Sequence, residues 1–495
     1  MLKKKERGIT LIALVITIVI LIILATVSIN VVLGEGGLIQ RTQEGKDLTE
    51  QAKEEEQAQL DSLLSKIESV VPFEPQPTPE PEQGETELAD EDKTNGVIEI
   101  KWLSGTSDKV STEPNAPLIK ENLPEGTTME LVRYTGEGTT ERERWVAGTE
   151  YSYLPGTGSS DNRSSKWANA RVTIDGIDSY FVWIPRYAYR IIYFDSNDSK
   201  IAYQNGTLTE EEAKAQGKIK GYSDSRGIVD AEGKKVANVE STTKTMVSKD
   251  YFMVHPAFMK GTENNFENGE WNENISGLWV GKYETSGELT EIKVQPGVSS
   301  LRSKTIGDFY DAGLEYAEEL ESHMLKNSEW GSVAYLTEST YGRNGTEIAQ
   351  NKNSSYITGS GEASTDYTSE DEQKASTTGN VYGIYDLRGG AYEYVASYYS
   401  GGGSLSYSFA NGTSDAYSTA YTGTTVSSAY KYGDATYETS GWHSDFASFV
   451  NLDHSFFRRG GIYFSDDSLA GVLYFGGSNG AGLNDNYSFR LALVL

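Results

Sequence analysis

The sequence predicts an α+β protein in three parts: an N-terminal transmembrane α-helix, a proline-rich stalk, and an irregular mixed α/β domain. Three observations predict it. Residues Gly8 to Gly34 form a 27-residue run without a charge, dominated by Ile, Leu and Val. Residues 72–81 hold five of the chain's twelve prolines. From Val97 onward, short runs of β-branched and aromatic residues alternate with Gly/Ser/Asn/Asp turns, with one helical pattern between them.

As a helix, the first run would be about 40 Å long, enough to cross a membrane with some tilt. Lys3-Lys4-Lys5-Glu6-Arg7 carries a net charge of +3 just before it. That patch should hold the N-terminus in the cytoplasm and leave the C-terminal domain extracellular, making a single-pass protein of the cell membrane. Gly34-Glu35-Gly36-Gly37 then breaks the helix. An amphipathic helix is expected within 35–71, where Leu60, Leu63, Leu64, Ile67, Val70 and Val71 recur at helical spacing. Residues 72–96 read as a stiff Pro/Glu-rich linker, since polyproline geometry and like-charge repulsion both extend the chain.

The rest divides into an N-terminal β-rich part, 97–165, and a larger domain, 166–495. Strands are expected at Val97–Leu103, Met129–Tyr134, Tyr180–Ile184 and Gly277–Tyr283, and one helix from Thr305 to Lys326. Residues 397–441, rich in Tyr, Ser, Gly and Thr, read as long excursions on an ordered scaffold.

Composition removes several functions. The 495-residue chain has no cysteine, which excludes disulfides, thiolate metal sites and a cysteine nucleophile. Four histidines leave little for a His-rich metal site. With 43 Lys+Arg against 72 Asp+Glu the net charge is −29, which argues against nucleic acid as a partner. The 32 tyrosines suit exposed recognition surfaces better than a deep core.

The start of the chain, KKKERG followed by ITLIALVITIVILIIL, resembles the class III signal of type IV pilins and pseudopilins. The resemblance implies cleavage after Gly8 by a prepilin peptidase, N-methylation of Ile9, and pilin-like subunits as neighbours. Ala13 stands where most pilins carry a glutamate.

A second resemblance covers roughly Lys166 to Leu495. GLWVGKYET at 277–285, LKNSEW at 325–330, GNVYGIYDLRGGAYEYV at 379–395, FRRGG at 457–461 and SFRL at 488–491 are similar, in order, to motifs of the formylglycine-generating-enzyme/sulfatase-modifying-factor family. That family implies a C-type-lectin-like fold. Its enzymes oxidise a substrate cysteine with a copper-holding cysteine pair, and this chain has none, so the resemblance implies the scaffold without that chemistry. Trp183, Trp279, Trp330, Tyr385 and Tyr392 should fill the core, and Arg459 and Arg490 should be buried against carboxylates or carbonyls.

No other catalytic pattern appears: there is no His-Glu-x-x-His, no phosphate loop and no Gly-x-Ser-x-Gly elbow. No cofactor is implied. Asp466-Asp467 are adjacent carboxylates able to help hold calcium, but no complete oxygen-ligand pattern surrounds them.

Binding is therefore the expected function. Within 459–490, Gly460, Gly461, Ala470, Gly471, Phe475, Gly480, Phe489 and Arg490 read as scaffold. Tyr463, Ser465, Asp467, Tyr474, Ser478, Asn479, Asn484, Asp485 and Asn486 should project outward as a ligand-binding face for an extracellular protein or glycan. The same segment resembles the variable proteins of diversity-generating retroelements. Sequence alone thus predicts a membrane-anchored, pilin-like surface protein displaying a non-catalytic, lectin-like recognition domain. The alternative is a minor pseudopilin with a structural role in a pilus or secretion-type assembly.

Overall fold

The computed structural model describes residues 93–156, 162–223, 252–261, 271–362, 364–402, 407–466, 469–481 and 485–495. The chain divides into two compact units, Met1–Gly84 and Glu85–Leu495, and the described residues belong to the second. The leader with Gly8 and Ile9, the expected span 9–34, the helix 35–71 and the linker up to residue 92 lie outside the described residues.

The predicted fold class requires correction. Strand (28%) outweighs helix (16%), so the described part is mostly sheet. Among the described residues no helix is long and apolar enough to cross a membrane. The longest, Asn327–Glu338, has 12 residues, spans about 18 Å, and carries Glu329 and Glu338.

Among the described residues, strands rich in β-branched and aromatic residues build three larger sheets and one two-stranded sheet. Four antiparallel strands form the first: β1 (Gly96–Trp102), β6 (Tyr187–Phe194) and β7 (Ile219–Tyr222) in that order, with β8 (Met253–Val254) also on β6. Gly96 opens β1 where a Cβ would lie 1.9 Å from the Trp442 ring, and the Trp442 indole donates to Lys93 O (2.7 Å). The end of the expected linker is therefore packed.

The second sheet runs β12 (His323–Met324), β18 (Leu491–Leu493), β9 (Gly277–Gly281), β5 (Ile177–Pro185), β4 (Asn169–Ile174), β2 (Thr127–Tyr134), β3 (Trp145–Ala147). The third runs β14 (Thr419–Tyr421), β13 (Tyr392–Tyr399), β15 (Phe456–Arg459), β16 (Phe475–Ser478), with β17 (Tyr487–Phe489) parallel to β13. A small hairpin pairs β10 (Ser286–Glu288) with β11 (Glu291–Lys293).

The single helix expected over Thr305–Lys326 is instead broken. A capping box of Thr305 and Asp308 starts a helix that ends at Glu315. Ser322 Oγ then takes the Ala317 N–H (2.8 Å), Glu321 turns left-handed, and His323–Met324 join the sheet edge beside β18. Gly313 permits this return, because a Cβ there would lie 2.8 Å from Met324 N. The next helix, Asn327–Glu338, is wholly buried despite its charges, since Glu329 meets His323 Nε2 (3.0 Å) and the Lys326 N–H (2.7 Å).

The core contains Trp145, Trp167, Trp183, Trp279 and Trp330, none more than 1% exposed. It also corrects the reading of tyrosine as a surface residue. Tyr187, Tyr189, Tyr193 and Tyr335 are fully buried, their hydroxyls donating to Ser332 O, the Glu438 carboxylate or Glu438 O. A phenol tolerates burial when its hydroxyl finds an acceptor.

The five sequence motifs meet in this core. Arg490 forks onto Glu393 (2.9 and 2.5 Å), both side chains fully buried, and donates to Gly281 O (2.8 Å). Tyr385 N–H donates to Lys282 O (2.8 Å), and the Arg459 guanidinium lies 5.5 Å from the Trp330 ring. Three carboxylates face Arg490, and burial, followed by Asp386, pushes Glu284 well above the carboxylate range.

Candidate functional site

Strand register assembles the candidate face. Tyr392 pairs with Tyr487, Tyr394 with Arg458, and Arg458 with Gly476. Directly paired residues share a sheet face, and consecutive residues point to opposite faces. The two arginines of FRRGG therefore separate. Arg459 is fully buried, donates to Ala435 O (3.0 Å), and burial draws its pKa down to about 10. Arg458 is half-buried on the other side.

The Arg458 guanidinium lies 4.2 Å from the Tyr392 ring centre and 5.9 Å from that of Tyr487, and its Nη1 donates to the Tyr487 hydroxyl (3.0 Å). Burial works against its charge, but Tyr474, Tyr487 and Tyr392 outweigh that, and its pKa stands above the ordinary arginine value. Tyr474 stacks between Tyr392 (5.8 Å) and Phe446 (5.7 Å), and Phe446 is 40% exposed.

A second aromatic run adjoins the first. Arg302 lies 3.8 Å over the Tyr356 ring and donates to Asp485 O (2.6 Å). Tyr463 stands edge-on to Tyr356 (4.9 Å) and to Phe464 (5.1 Å), and Phe464 is 63% exposed. Asn486 ties the two runs together, its side chain accepting from the Tyr356 hydroxyl (2.7 Å) and its carbonyl from the Tyr392 N–H (2.9 Å). Tyr392 and Tyr463 also pack on one small cluster of Tyr356, Ala391 and Ile462. Among the described residues neither Arg302 nor Arg458 has a carboxylate within ion-pair distance. The face combines exposed rings and two guanidiniums with the exposed Asp485, in a chain of net charge −29.

Of the expected ligand-binding residues, Asn479 and Asp485 are exposed, and Tyr463, Ser465 and Asn486 are half-buried. Asp467 and Asn484 lie outside the described residues. Tyr474 and Ser478 do not project outward and are corrected. Tyr474 is 1% exposed within its stack, and Ser478 is 5% exposed, with its Oγ 2.9 Å from the Tyr394 hydroxyl. The scaffold residues Gly460, Gly461, Ala470, Gly471, Phe475, Gly480, Phe489 and Arg490 are all buried. Trp183, Trp279, Trp330 and Tyr385 fill the core as expected, whereas Tyr392 is half-buried and lines this face.

Sequence reasoning missed Arg458, Arg302, Tyr356, Tyr487, Phe446 and Phe464. For Arg458 the signal was present: in a strand, two consecutive arginines cannot both face the core. Nothing local distinguished the others, which come from β17 and from loops far apart in the chain.

Elsewhere, His255 and His323 are buried, His443 Nε2 lies 3.1 Å from both Glu338 carboxylate oxygens, and His454 is exposed. Asp466 is exposed, and among the described residues no group of three or more histidines and carboxylates is arranged to hold a metal. A separate cavity of about 300 Å³ lies beside the β4–β5 turn and the helix Ile306–Glu315, lined by Ile174, Ile177, Leu289 and Tyr316 among others. Compared with protein-family models and with curated proteins, the chain finds no match.

Proposed function

We propose that the domain is a recognition module that binds a ligand on the Phe446–Arg458–Phe464 face without turning it over. One observation carries this reading. Two aromatic runs begin at exposed rings, Phe446 and Phe464, and lead to Arg458 and Arg302, neither of which meets a carboxylate among the described residues. Aromatic rings and arginine are the side chains that dominate binding energy, because they offer large contact areas with little rotamer freedom to lose. Asn479, Asp485 and Asn486 supply the small polar groups around them. The resemblance of 459–490 to variable proteins of diversity-generating retroelements supports binding over catalysis.

The test is a protein and glycan array probed with the full-length chain. The expected outcome is selective binding, lowered by about 30-fold or more in a Phe446→Ala/Phe464→Ala double variant, the scale of a lost hot spot. No signal above background would overturn the reading.

A further inference from the structure

The cavity of about 300 Å³ beside the seven-stranded sheet divides into an apolar floor and an acidic rim. At the floor Ile292 and Ala312 are buried, and half-buried Ile177 and Leu289 continue the wall. Strand alternation sets this lining. Ile177 and Ser179 of β5 both line the cavity, while Asp178 between them meets Arg142 (2.6 Å). The rim carries three exposed carboxylates: Asp175 from the β4–β5 turn, Glu291 from β11, and Glu315 from the end of the helix Ile306–Glu315.

Nothing nearby neutralises that rim. No lysine, arginine or histidine lines the cavity, and among the described residues none of the three carboxylates has a basic group within ion-pair distance. Glu315 also stands against the electrostatics of its own helix. It ends the last turn, where unpaired carbonyls carry partial negative charge, and that turn holds no basic residue. One turn earlier, Asp311 is raised above its ordinary value by burial, then by Glu315 and Asp308. Uncompensated negative charge therefore gathers at the mouth of a small apolar cavity, which costs stability and draws cations.

We infer that this cavity is a second binding site, distinct in its residues from the Phe446–Arg458–Phe464 face, and that it takes a small organic amine. The apolar body of the ligand lies on Leu289, Ile292 and Ala312, and its protonated nitrogen sits among Asp175, Glu291 and Glu315. The volume stands at the small end of ligand pockets. An anion would be repelled at the rim, and a neutral apolar molecule would leave the carboxylates without a counter-charge. A bare metal ion would leave the floor uncovered, and among the described residues no three carboxylates or histidines are arranged to hold one.

The experiment is calorimetric titration of the full-length chain, at neutral pH, with 2-phenylethylamine and its uncharged counterpart 2-phenylethanol. At low salt the amine is expected to bind at least about 10-fold tighter, as two or three solvent-screened charge contacts imply. High salt should shrink that ratio. The double variant Glu291→Gln/Glu315→Gln should bring it near one without changing the affinity for 2-phenylethanol. Both positions are exposed, and Glu315→Gln relieves the repulsion with Asp311, so this variant should fold. Leu289→Ser should weaken both probes by a similar factor and leave the ratio unchanged. Equal affinity for the two probes, a preference that survives the double variant, or a Leu289→Ser variant that alters neither affinity would overturn the inference. So would the absence of amine binding at millimolar concentrations. None of these outcomes touches the recognition face, which stands or falls with the array.

Discussion

The seven-stranded sheet and the outer face of the five-stranded sheet treat the same side chains in opposite ways. On the first, Arg142 and Arg171 each close on a carboxylate, and behind it Arg490 closes on Glu393 with no surface left exposed. On the second, Arg302 and Arg458 lie over tyrosine rings, and among the described residues neither meets a carboxylate. A guanidinium whose donors are all satisfied ties segments together. One that lies over tyrosine rings holds an aromatic face in place instead. The contrast separates the part of the molecule that stabilises from the part that can recognise.

The comparison breaks first at Arg490. Arg490→Ala leaves Glu393 buried without its cation, and the expected loss is about 3–5 kcal/mol of stability, the scale for stripping one partner from a buried pair. Urea unfolding of wild type and variant measures it, and a loss below about 1 kcal/mol would show that the fork carries little of the fold.

A smaller effect should appear with pH. Burial raises Glu438 from 4.5 to about 8, and Glu338 holds His443 up at about 9 against the burial that opposes its charge. Between each unfolded pKa and its folded one, the folded protein keeps a proton that the unfolded chain has released. Stability therefore falls as pH rises through that interval. His255, lowered by burial to about 3, acts in the other direction below pH 6.5. Melting temperature should accordingly decline from about pH 6.5 to pH 9, and Glu438→Gln should flatten the part below pH 8. A curve rising across that range would contradict the buried-proton picture.

At the recognition face the stability effects should be smallest. Phe446 is 40% exposed and stacks on Tyr474, so Phe446→Ala should cost about 1 kcal/mol of stability, well below the loss at Arg490. Its larger cost should appear in ligand affinity. A stability loss comparable to that of Arg490→Ala would erase the distinction between the two regions.

Local pattern was enough for much of the fold. The expected strands at Met129–Tyr134, Tyr180–Ile184 and Gly277–Tyr283 lie within or overlap β2, β5 and β9, because alternating β-branched and aromatic residues state their own preference. Arg459 and Arg490 were legible as buried arginines from their Gly-Gly and Phe neighbours. The broken helix at 305–326 was not, since its interruption depends on Ser322 reaching back to Ala317 and on β18, almost 170 residues away, offering an edge to His323.

By itself, then, the sequence determined the exclusion of thiol chemistry, the placement of β1, β2, β5 and β9, and the burial of Arg459 and Arg490. These follow from side-chain identity and short-range periodicity. Only the tertiary structure decided which tyrosines are core and which are surface, that Tyr474 and Ser478 turn inward, and that Arg458 lies over Tyr392 while Arg459 is buried. Those outcomes depend on which distant strand lies alongside, and the register between strands far apart in the chain is not written in either strand alone.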